Sequence, residues 1–508
     1  MDEAYKRTGV FDKALVAGIS CLFLWTWLHY EGGCYSLRGF DMATANMRWL
    51  AHSGAATLAA AVVCALALRD QGEHASILQR NMRIAGSLCA LLGTAAALAI
   101  VLVGPIEEAV ALALVSGVLT GIGQGLLLCL FCSLTSHLGT RMSLAHIVAA
   151  LAISAALMVA CYFMPDWVGC AIGLVCPLIC LAASADARGP NKISEMPLDD
   201  PEHTPHEGKT GPLDKAQAKP LLQLGAICVV LGASSGFVGT SYELLPESFY
   251  QVSCLFVVLG TFMAAVLAYI SHFRLNMGAW NLIFRVALPL MVVSHLLLPF
   301  PVYGFVGPGI HALGYQYFFM LLWPLLGSPR LRRALPALAT IGGSLGAVHA
   351  GRVIGSALWL GMCTGASDNP MALTIASGVA MLMALLLSVA FGRPTFAWAE
   401  ARPGKQVDVG ASPGYEELMA LAGTRFGLSP REEEVLALIG HGHTRQEVAD
   451  ALGISLQTAK THVARIYHKL DVHSQQEMLE VLESCREECG ARDGAMTTAT
   501  EARGEGRI

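Results

Sequence analysis

The stretch LSPREEEVLALIGHGHTRQEVADALGISLQTAKTHVARIYHKLDVHSQQE, residues Leu428–Glu477, decides the fold of the C-terminal part of the chain. Within it, three hydroxyl residues are each followed three positions later by a glutamate: Ser429 with Glu432, Thr444 with Glu447, and Ser474 with Glu477. In such a capping box the hydroxyl accepts a hydrogen bond from a first-turn amide, and the glutamate accepts one from the amide of the capping residue. The stretch therefore predicts three helices that begin at defined residues.

Apolar residues recur at helical spacing between these starts. They form two short amphipathic faces, made of Val435, Leu436 and Ile439, and then of Val448, Ala449 and Leu452. Gly453 follows the second face, where a left-handed turn residue would end a helix. A further helix is predicted from about Leu456 to Leu470. The order is a helix, a tight turn and another helix.

The helix predicted from Leu456 to Leu470 has two offset stripes. The apolar stripe, which we expect to be buried, contains Ala459, Val463, Ile466 and Leu470. The polar stripe, which is free to bind, contains Gln457, Lys460, Thr461, Ala464, Arg465 and His468. Because no acidic residue precedes Asp471 in this helix, its exposed face is locally positive, and DNA phosphates or base edges are its natural target.

These residues resemble the LuxR-type (GerE-like) helix-turn-helix domain of bacterial response regulators. The resemblance runs from Arg425 to Glu483 and covers about an eighth of the chain. It is carried by LSPREEEVL, by Gly440 and Gly442, by EVADALGIS, by a T-x-K-x-H pattern that begins at Thr458, and by KLDVHSxxE.

The resemblance implies that the third helix enters the major groove of double-stranded promoter DNA. Lys460, Thr461 and Ala464 would face base edges. The residues implied to lie near phosphates are Thr444, Thr458, His462 and Lys469. The helix after Ser474 would support a homodimer on DNA, and RNA polymerase is a further expected partner. Ala464 departs from the lysine or arginine often found at its position, and Ala459 replaces the usual valine.

A second interpretation is a helical unit that binds only protein, because glutamates outnumber lysines and arginines in this segment. The positions of the charges favour DNA. The acids stand at helix starts, where the helix dipole favours them, while the cations gather on the predicted reading helix.

The rest of the chain has the composition of a membrane protein. Of 508 residues, 54% are hydrophobic and 14% charged, and the mean hydropathy is +0.54. Apolar runs long enough to cross a bilayer occur at about residues 13–30, 49–68, 84–103, 109–131, 143–163, 167–184, 221–240, 250–271, 280–299, 304–326, 335–361 and 371–391. The expected fold is all-α, a polytopic membrane helix bundle of about twelve spans, six plus six, with a C-terminal cytoplasmic helix-turn-helix domain.

The distribution of positive charge predicts the orientation in the membrane. If the N-terminus is cytoplasmic, the inner segments hold seventeen lysine and arginine residues and the outer loops hold only Arg38 and Arg48. This bias places both termini in the cytoplasm of a multi-pass protein of the inner, cytoplasmic membrane. The first apolar run lacks a convincing cleavage site, so we expect it to remain as the first membrane helix.

Six spans, a long loop and six spans resemble the major facilitator superfamily of transporters in architecture. The family's usual motif between spans two and three is missing, since the loop here reads RDQGEHASILQRNMR, residues 69–83. The resemblance implies that spans one, four, seven and ten line a central cavity. The polar or aromatic residues on those spans are Trp25, Gln124, Ser235, His311 and Tyr315.

Arg352 is the strongest ligand-binding candidate in the spans, because no acidic residue lies within reach on its own predicted helix. With Trp25, Gln124, His311 and Tyr315 it forms the candidate site for a small-molecule ligand. Arg285 and Gln316 are lesser candidates, and interhelical hydrogen bonding alone is an equal explanation for each residue except Arg352.

Small residues recur four apart in two spans, and we interpret them as helix-packing surfaces. These are Gly117, Gly121 and Gly125, then Gly342, Gly346 and Ala350, and Gly351 with Gly355.

No motif for catalysis is present in a credible context, so we expect neither an enzyme nor a cofactor. The fifteen cysteines lie mostly within spans, where cysteine acts as a small hydrophobic residue. No disulfide framework or metal site is predicted. Cys485 and Cys489 remain a weak metal-binding alternative.

The expected domains are two membrane halves, 1–184 and 221–391, a polar cytoplasmic loop at 185–220, a linker with a lead-in helix at 392–423, the helix-turn-helix domain at 424–487, and a disordered tail at 488–508. The leading hypothesis is a membrane-embedded, one-component transcription regulator that senses a signal through its bundle. The alternative is a secondary transporter that carries a regulatory DNA-binding tail.

Overall fold

The structure, a computed structural model, describes residues 11–30, 42–70, 74–103, 108–136, 138–186, 215–241, 247–275, 286–297, 306–326, 335–363, 422–440, 448, 452, 456–472, 477–478 and 481–482. The chain divides into two compact units, Met1–Pro403 and Gly404–Ile508.

Helices make up the described part of the first unit. In chain order they are α1 (Lys13–Tyr30), α2 (Met42–Asp70), α3 (Ala75–Val103), α4 (Glu108–Ser136), α5 (Gly139–Tyr162), α6 (Asp166–Asp186), α7 (Lys215–Ser241), α8 (Glu247–Ala268), α9 (Leu288–Leu297), α10 (Gly307–Leu326) and α11 (Ala337–Cys363). A π-helical turn, Tyr269–Arg274, continues α8.

Seven of the described helices, α2 to α8, are long and apolar enough to cross a membrane. Their outward faces carry exposed apolar side chains one turn apart, for example Leu58, Val62 and Leu66 on α2. Such a stripe is unfavourable in water and is favourable against lipid. The first unit is therefore a polytopic membrane helix bundle.

The first eleven predicted spans correspond in order to α1–α11. The twelfth, 371–391, lies outside the described residues. For the ninth span, the described helix covers only Leu288–Leu297.

One prediction about charge was wrong. Arg48 is not in an outer loop: α2 begins at Met42, so Arg48 lies within the helix, and only 3% of it is exposed. A hydropathy window places the span boundary where polar residues enter, whereas the helix continues for another two turns beyond that point.

Several helices of the bundle are buried on most of their surface. Helices α1 and α10 are 18 and 20 residues long, and 13 and 16 of those residues are buried. Of the seven apolar spans, α4 has the largest buried share, at 67%. These helices face protein on most sides, so their polar groups can be satisfied by neighbouring helices instead of being exposed to lipid.

Glycines allow α7 and α11 to touch through their backbones. A Cβ atom added at Gly236 would overlap the carbonyl oxygen of Arg352, and one added at Gly355 would overlap that of Ala233. The glycines of the two helices thus face each other's main chain along the whole contact. The interpretation of these small residues as packing surfaces is confirmed.

Glycines also allow α4 to contact the backbone of α2. A Cβ at Gly121 would overlap the carbonyl oxygen of His52, and a Cβ at Gly117 would lie 2.6 Å from the carbonyl oxygen of Arg48. Close approach of the two backbones brings the side chains of α2 within hydrogen-bonding reach of α4.

The second unit has a small core of its own. Its described helices are α12 (Pro430–Gly440) and α13 (Leu456–Leu470). The predicted apolar faces of α12 and α13 are confirmed: Val435, Leu436, Ile439, Ala459, Val463, Ile466 and Leu470 are all buried in one cluster. Of the face predicted between them, Val448 is buried in this cluster, Leu452 is partly buried against it, and Ala449 lies outside the described residues. Asp471 ends α13 with a φ of 54°, a left-handed conformation that aspartate tolerates.

Gly121 and Gly54 provide a paired test of the glycine packing. We expect Gly121→Ala to destabilise the purified protein by about 1–3 kcal/mol, because the added methyl group pushes α4 away from α2. Gly54→Ala meets no atom within 4 Å and should leave stability unchanged or slightly higher. Thermal unfolding in detergent measures both, and equal melting temperatures for the two variants would contradict the packing role.

Candidate functional site

The first predicted capping box is present at the start of α12. The Ser429 amide donates to Glu432 Oε2 at 2.8 Å, and the Glu432 amide donates to Ser429 Oγ at 3.3 Å. The reciprocal pair satisfies two amides at the helix start. The other two capping boxes include residues outside the described part of the chain.

An ion pair connects the start of α12 to the end of α13. Lys469 Nζ donates to Glu432 Oε2 at 2.7 Å and to the carbonyl oxygen of Gly427, also at 2.7 Å. The hydrogen bond from Lys469, followed by that from the Ser429 amide, lowers the pKa of Glu432 to about 2. Lys469 therefore holds the two helices together, and its predicted phosphate contact remains a prediction.

The polar stripe of α13 points away from the core. Lys460 and Arg465 are exposed, and His462 is half-buried. The other predicted DNA contacts in α13 are likewise exposed, namely Gln457, Thr458, Thr461, Ala464 and Lys469. Thr444 lies outside the described residues. This face has cations, amide and hydroxyl groups, and no acidic residue, which are the properties needed to contact phosphates and base edges.

Residues 427–482 match the family described as "Bacterial regulatory proteins, luxR family", GerE. This segment is a LuxR-type helix-turn-helix domain. Two curated relatives match within it. They are the uncharacterized response regulatory protein YgeK of Escherichia coli, 45% identical over 53 residues, and the response regulator VraR of Staphylococcus aureus, 49% identical over 45 residues.

Both matches cover a small part of each chain. They span 10% and 9% of this chain, 36% of YgeK and 22% of VraR. The likeness to response regulators is therefore confined to the LuxR-type domain.

The helix after Ser474 is described only at residues 477–478 and 481–482. Met478 and Leu482 are buried in the core of the LuxR-type domain, at 0% and 6% exposure. A dimer surface on this helix would have to use its other face.

The membrane bundle contains a second candidate site, a buried polar cluster that begins at α1. Trp25 Nε1 donates to Thr94 Oγ1 at 2.7 Å, and Thr94 donates in turn to the carbonyl oxygen of Ala90. Arg48 Nη2 lies 2.9 Å from His29 Nδ1, and His29 Nε2 lies 3.0 Å from Thr94 Oγ1. Since arginine can only donate, His29 Nδ1 accepts and its Nε2 carries the hydrogen. Four side chains on three helices are thereby fixed in orientation.

Gln124 is at the centre of a neighbouring network. Its Oε1 lies 2.6 Å from His52 Nε2, and its Nε2 donates to Thr26 Oγ1 at 3.2 Å. Thr26 donates to a carbonyl oxygen of α1, so its oxygen is left to accept from the amide. His52 Nδ1 and the Tyr30 hydroxyl both contact Thr120 Oγ1, at 3.1 and 2.9 Å. Gln124 therefore links α4 to both α1 and α2.

Arg352 lies against the aromatic ring of Trp49. Its Cζ atom is 4.7 Å from the ring centroid, and Trp49 Nε1 donates to Ser356 Oγ at 3.1 Å. A second set of rings lies on α10: His311 contacts Ser234 Oγ of α7 at 3.1 Å and stacks on Tyr315 with a centroid distance of 5.9 Å. Ser235 is buried on α7.

The structure divides the five predicted ligand residues among four groups. Trp25 belongs to the His29 and Arg48 cluster, Gln124 to the His52 network, and Arg352 to the Trp49 contact. His311 and Tyr315 lie together. Arg285 lies outside the described residues, and Gln316 is half-buried on α10.

The sequence prediction missed four buried groups of the bundle: His29, Arg48, His52 and His349. Arg48 and His52 are one helical turn apart, as are His349 and Arg352. This spacing of polar residues on apolar helices was a signal that could have identified them.

Among solved structures, the E. coli fucose:proton symporter FucP is 13% identical to this chain, with a TM-score of 0.46. The match covers 75% of this chain and 98% of FucP. The nucleoside transporter NupG is 13% identical to this chain, with a TM-score of 0.45. This match covers 75% of this chain and 100% of NupG. Both TM-scores lie below 0.5, and nothing about the activity of the first unit follows from them.

The pKa of Glu432 predicts how the stability of the LuxR-type domain depends on pH. Its folded pKa of about 2 lies below its ordinary value of 4.5, so the stabilisation is complete above pH 4.5 and is lost as the pH falls towards 2. We expect Glu432→Gln to destabilise fragment 415–488 by roughly 1–2 kcal/mol at pH 7 and to flatten this dependence. Urea unfolding of the unmodified fragment and the variant between pH 2.5 and 7 measures the free energy of unfolding at each pH.

Glu434→Gln is the matched control, because Glu434 is 53% exposed and pairs with Arg431 on the surface. Its effect should be within ~0.5 kcal/mol at every pH. Loss of the same stability in both variants would contradict the role of the Lys469–Glu432 ion pair.

Proposed function

We propose that this protein is a membrane-embedded transcription regulator that binds promoter DNA through α13 and senses a signal through its helix bundle. The observation that carries the proposal is the exposed, acid-free face of α13 in a LuxR-type domain that shares a chain with a polytopic membrane bundle. In this role the bundle does not need to move a substrate. It needs two states that bind the signal unequally.

On DNA, α13 would lie in the major groove. Lys460 is placed to donate to guanine oxygen or nitrogen atoms, while Gln457 and Thr461 can contact either a base edge or a phosphate. Thr444, Thr458, His462, Arg465 and Lys469 would contact phosphates and fix the register. At Ala464 a methyl group stands where a longer side chain would read a further base, so sequence discrimination would rest mainly on Lys460.

The proposal requires the LuxR-type domain to be on the cytoplasmic side. The seventeen inner cations against two outer ones support a cytoplasmic N-terminus and C-terminus. Because Arg48 is buried within α2, Arg38 alone remains of the two cations predicted in the outer loops. The excess of positive charge on the cytoplasmic side is therefore larger.

Coupling between bundle and DNA would act through the linker at 392–423, which is rich in proline, glycine and mixed charges. Such a linker transmits no rigid motion, but it sets the local concentration of the DNA-binding domains near the membrane. A signal that changes the association of bundles would change the pairing of these domains, and with it the affinity for paired DNA half-sites and the access to RNA polymerase.

Substitution of Lys460 tests DNA binding directly. We expect fragment 415–488 to bind promoter DNA with an affinity that falls as salt rises, because phosphate contacts release counterions. Lys460→Ala should weaken binding by about 1–3 kcal/mol and should relax specificity at one base position. Fluorescence anisotropy at several salt concentrations measures both.

Arg425→Ala is the matched control, since it removes the same charge at an exposed position outside α13, next to Phe426. It should bind DNA nearly as the unmodified fragment does. A DNA affinity that is independent of salt, or an equal loss of affinity in both variants, would contradict the proposal that the exposed face of α13 binds DNA.

The second candidate, a transporter with a regulatory tail, is favoured by the buried charged residues of the bundle. Vesicles that contain the purified protein discriminate between the two. Substrate counterflow that disappears in Arg352→Gln would assign transport. A regulator instead predicts that Arg352→Gln alters the response of a reporter gene to the signal, while Lys460→Ala abolishes expression control altogether.

A further inference from the structure

We propose that Arg431 is a positioning residue for DNA recognition. It fixes the segment that leads into α13, and with it the angle at which α13 presents its exposed face to the bases. This inference rests on the proposed function, because it concerns the same DNA-binding face. It adds a residue that lies outside α13, in the first turn of α12.

Arg431 connects α12 to the part of the chain just before α13. Its Nη2 atom donates to the carbonyl oxygen of Leu452 at 2.7 Å, across 21 positions of sequence, and its Nη1 atom donates to Glu434 on its own helix. Leu452 is helical and lies four residues before Leu456, where α13 begins. One amino group of the guanidinium is therefore held on α12, and the other holds the segment that precedes α13.

The bond to Leu452 is of a strong and directional kind. Gly453 follows Leu452, and the sequence predicts the end of a helix there. Carbonyl groups in the last turn of a helix lack a donor within that helix and carry partial negative charge. A guanidinium is a charged donor of fixed planar geometry, so its hydrogen bond to such a carbonyl group is charge-assisted and has a defined direction.

Two neighbouring residues of α12 restrain the chain at both ends of α13. Glu432 accepts from Lys469 near the end of α13 at 2.7 Å, and Arg431 holds Leu452 before its start. Consecutive residues of a helix point about 100° apart, so these two side chains reach in different directions from one turn. Restraint at two separate points fixes the direction of the α13 axis, whereas a single point would act as a hinge.

Apolar packing alone does not set this direction. Apolar side chains of α12 and α13 share one buried cluster, which keeps α13 on the core. Because apolar contacts are non-directional, they allow small tilts, whereas hydrogen bonds weaken steeply when their angles become poor. Gln457, Lys460 and Thr461 lie in the first half of α13, nearest to Leu452. A tilt at this end would displace the side chains that are proposed to contact base edges.

Three roles of Arg431 predict different effects on DNA binding. A phosphate contact contributes to binding of every sequence, so its loss weakens all of them by a similar factor. A role in stability alone lowers the folded fraction, which also affects every sequence equally. A positioning role changes base contacts, so its loss lowers the preference for one sequence over another. The ratio of the affinities for a preferred and a scrambled duplex therefore identifies the role.

The test measures this ratio for the full-length protein in detergent micelles. The probes are a duplex that the unmodified protein selects from a random-sequence library and a scrambled duplex of the same length and base composition. Arg431→Met keeps the apolar stem of the side chain and removes the guanidinium. We expect it to weaken binding to the selected duplex by about tenfold, the size of one lost base contact, and binding to the scrambled duplex by less than about twofold.

Two further variants are controls. Arg431→Lys should recover part of the sequence preference, because lysine keeps the charge and can donate one hydrogen bond. Glu434→Gln should keep the full preference, because it removes the exposed partner of Arg431 and leaves the bond to Leu452 in place. Hydrogen–deuterium exchange without DNA gives a second readout. Arg431→Met should speed exchange of the amides of residues 453–456 and leave those of α12 unchanged.

Two results would overturn the inference. One is that Arg431→Met keeps the sequence preference of the unmodified protein. The other is that it weakens binding to both duplexes by the same factor, which would assign a phosphate contact or a role in stability. If the unmodified protein prefers no duplex at all, the proposed function fails, and this inference fails with it. Failure of the inference alone is therefore distinguishable from failure of the proposed function.

Discussion

Direct contact between helix backbones, made possible by glycine, determines where the polar groups of the bundle lie. On α4, Gly117 and Gly121 face the main chain of Arg48 and His52, and on α7, Gly236 faces that of Arg352. With any larger residue the helices would stand further apart. The short hydrogen bond between His52 and Gln124 across the contact of α2 with α4 depends on that spacing, because side-chain reach is fixed and hydrogen bonds weaken steeply beyond about 3.5 Å.

The number of available donors and acceptors limits how the side chains of the polar cluster next to these contacts can be arranged. Thr94 accepts from Trp25 and His29 and donates to Ala90, so its hydroxyl has no capacity left. Arg48 fixes the His29 ring through Nδ1. These hydrogen bonds tolerate few arrangements, and they give α1, α2 and α3 a defined relative position.

The sequence alone predicted most of the fold, because helical periodicity and hydropathy are local properties. The apolar stripe of α13 was found in this way, as were helices at eleven of the twelve expected spans, and seven of the described helices are long and apolar enough to cross a membrane. Partnerships between distant residues were not predictable: Lys469 and Glu432 are 37 positions apart, and Trp49 and Ser356 are 307 apart. The misplacement of Arg48 has the same origin, since its acceptors His29 and Ser116 lie on other helices. A single sequence contains the residues of such a cluster but not their neighbours in space.

The buried polar groups of α1 have a consequence for biosynthesis. Trp25 and His29 bond to Thr94 of α3, and Thr26 bonds to Gln124 of α4. Each buried polar group costs free energy in lipid until its partner is present. Helices α2 to α6 are apolar enough to enter individually. Stable placement of α1 therefore depends on α3 and α4, which are translated after it. The interior of the bundle is completed late during synthesis, and a ribosome that has not yet translated α11 carries a bundle without Arg352.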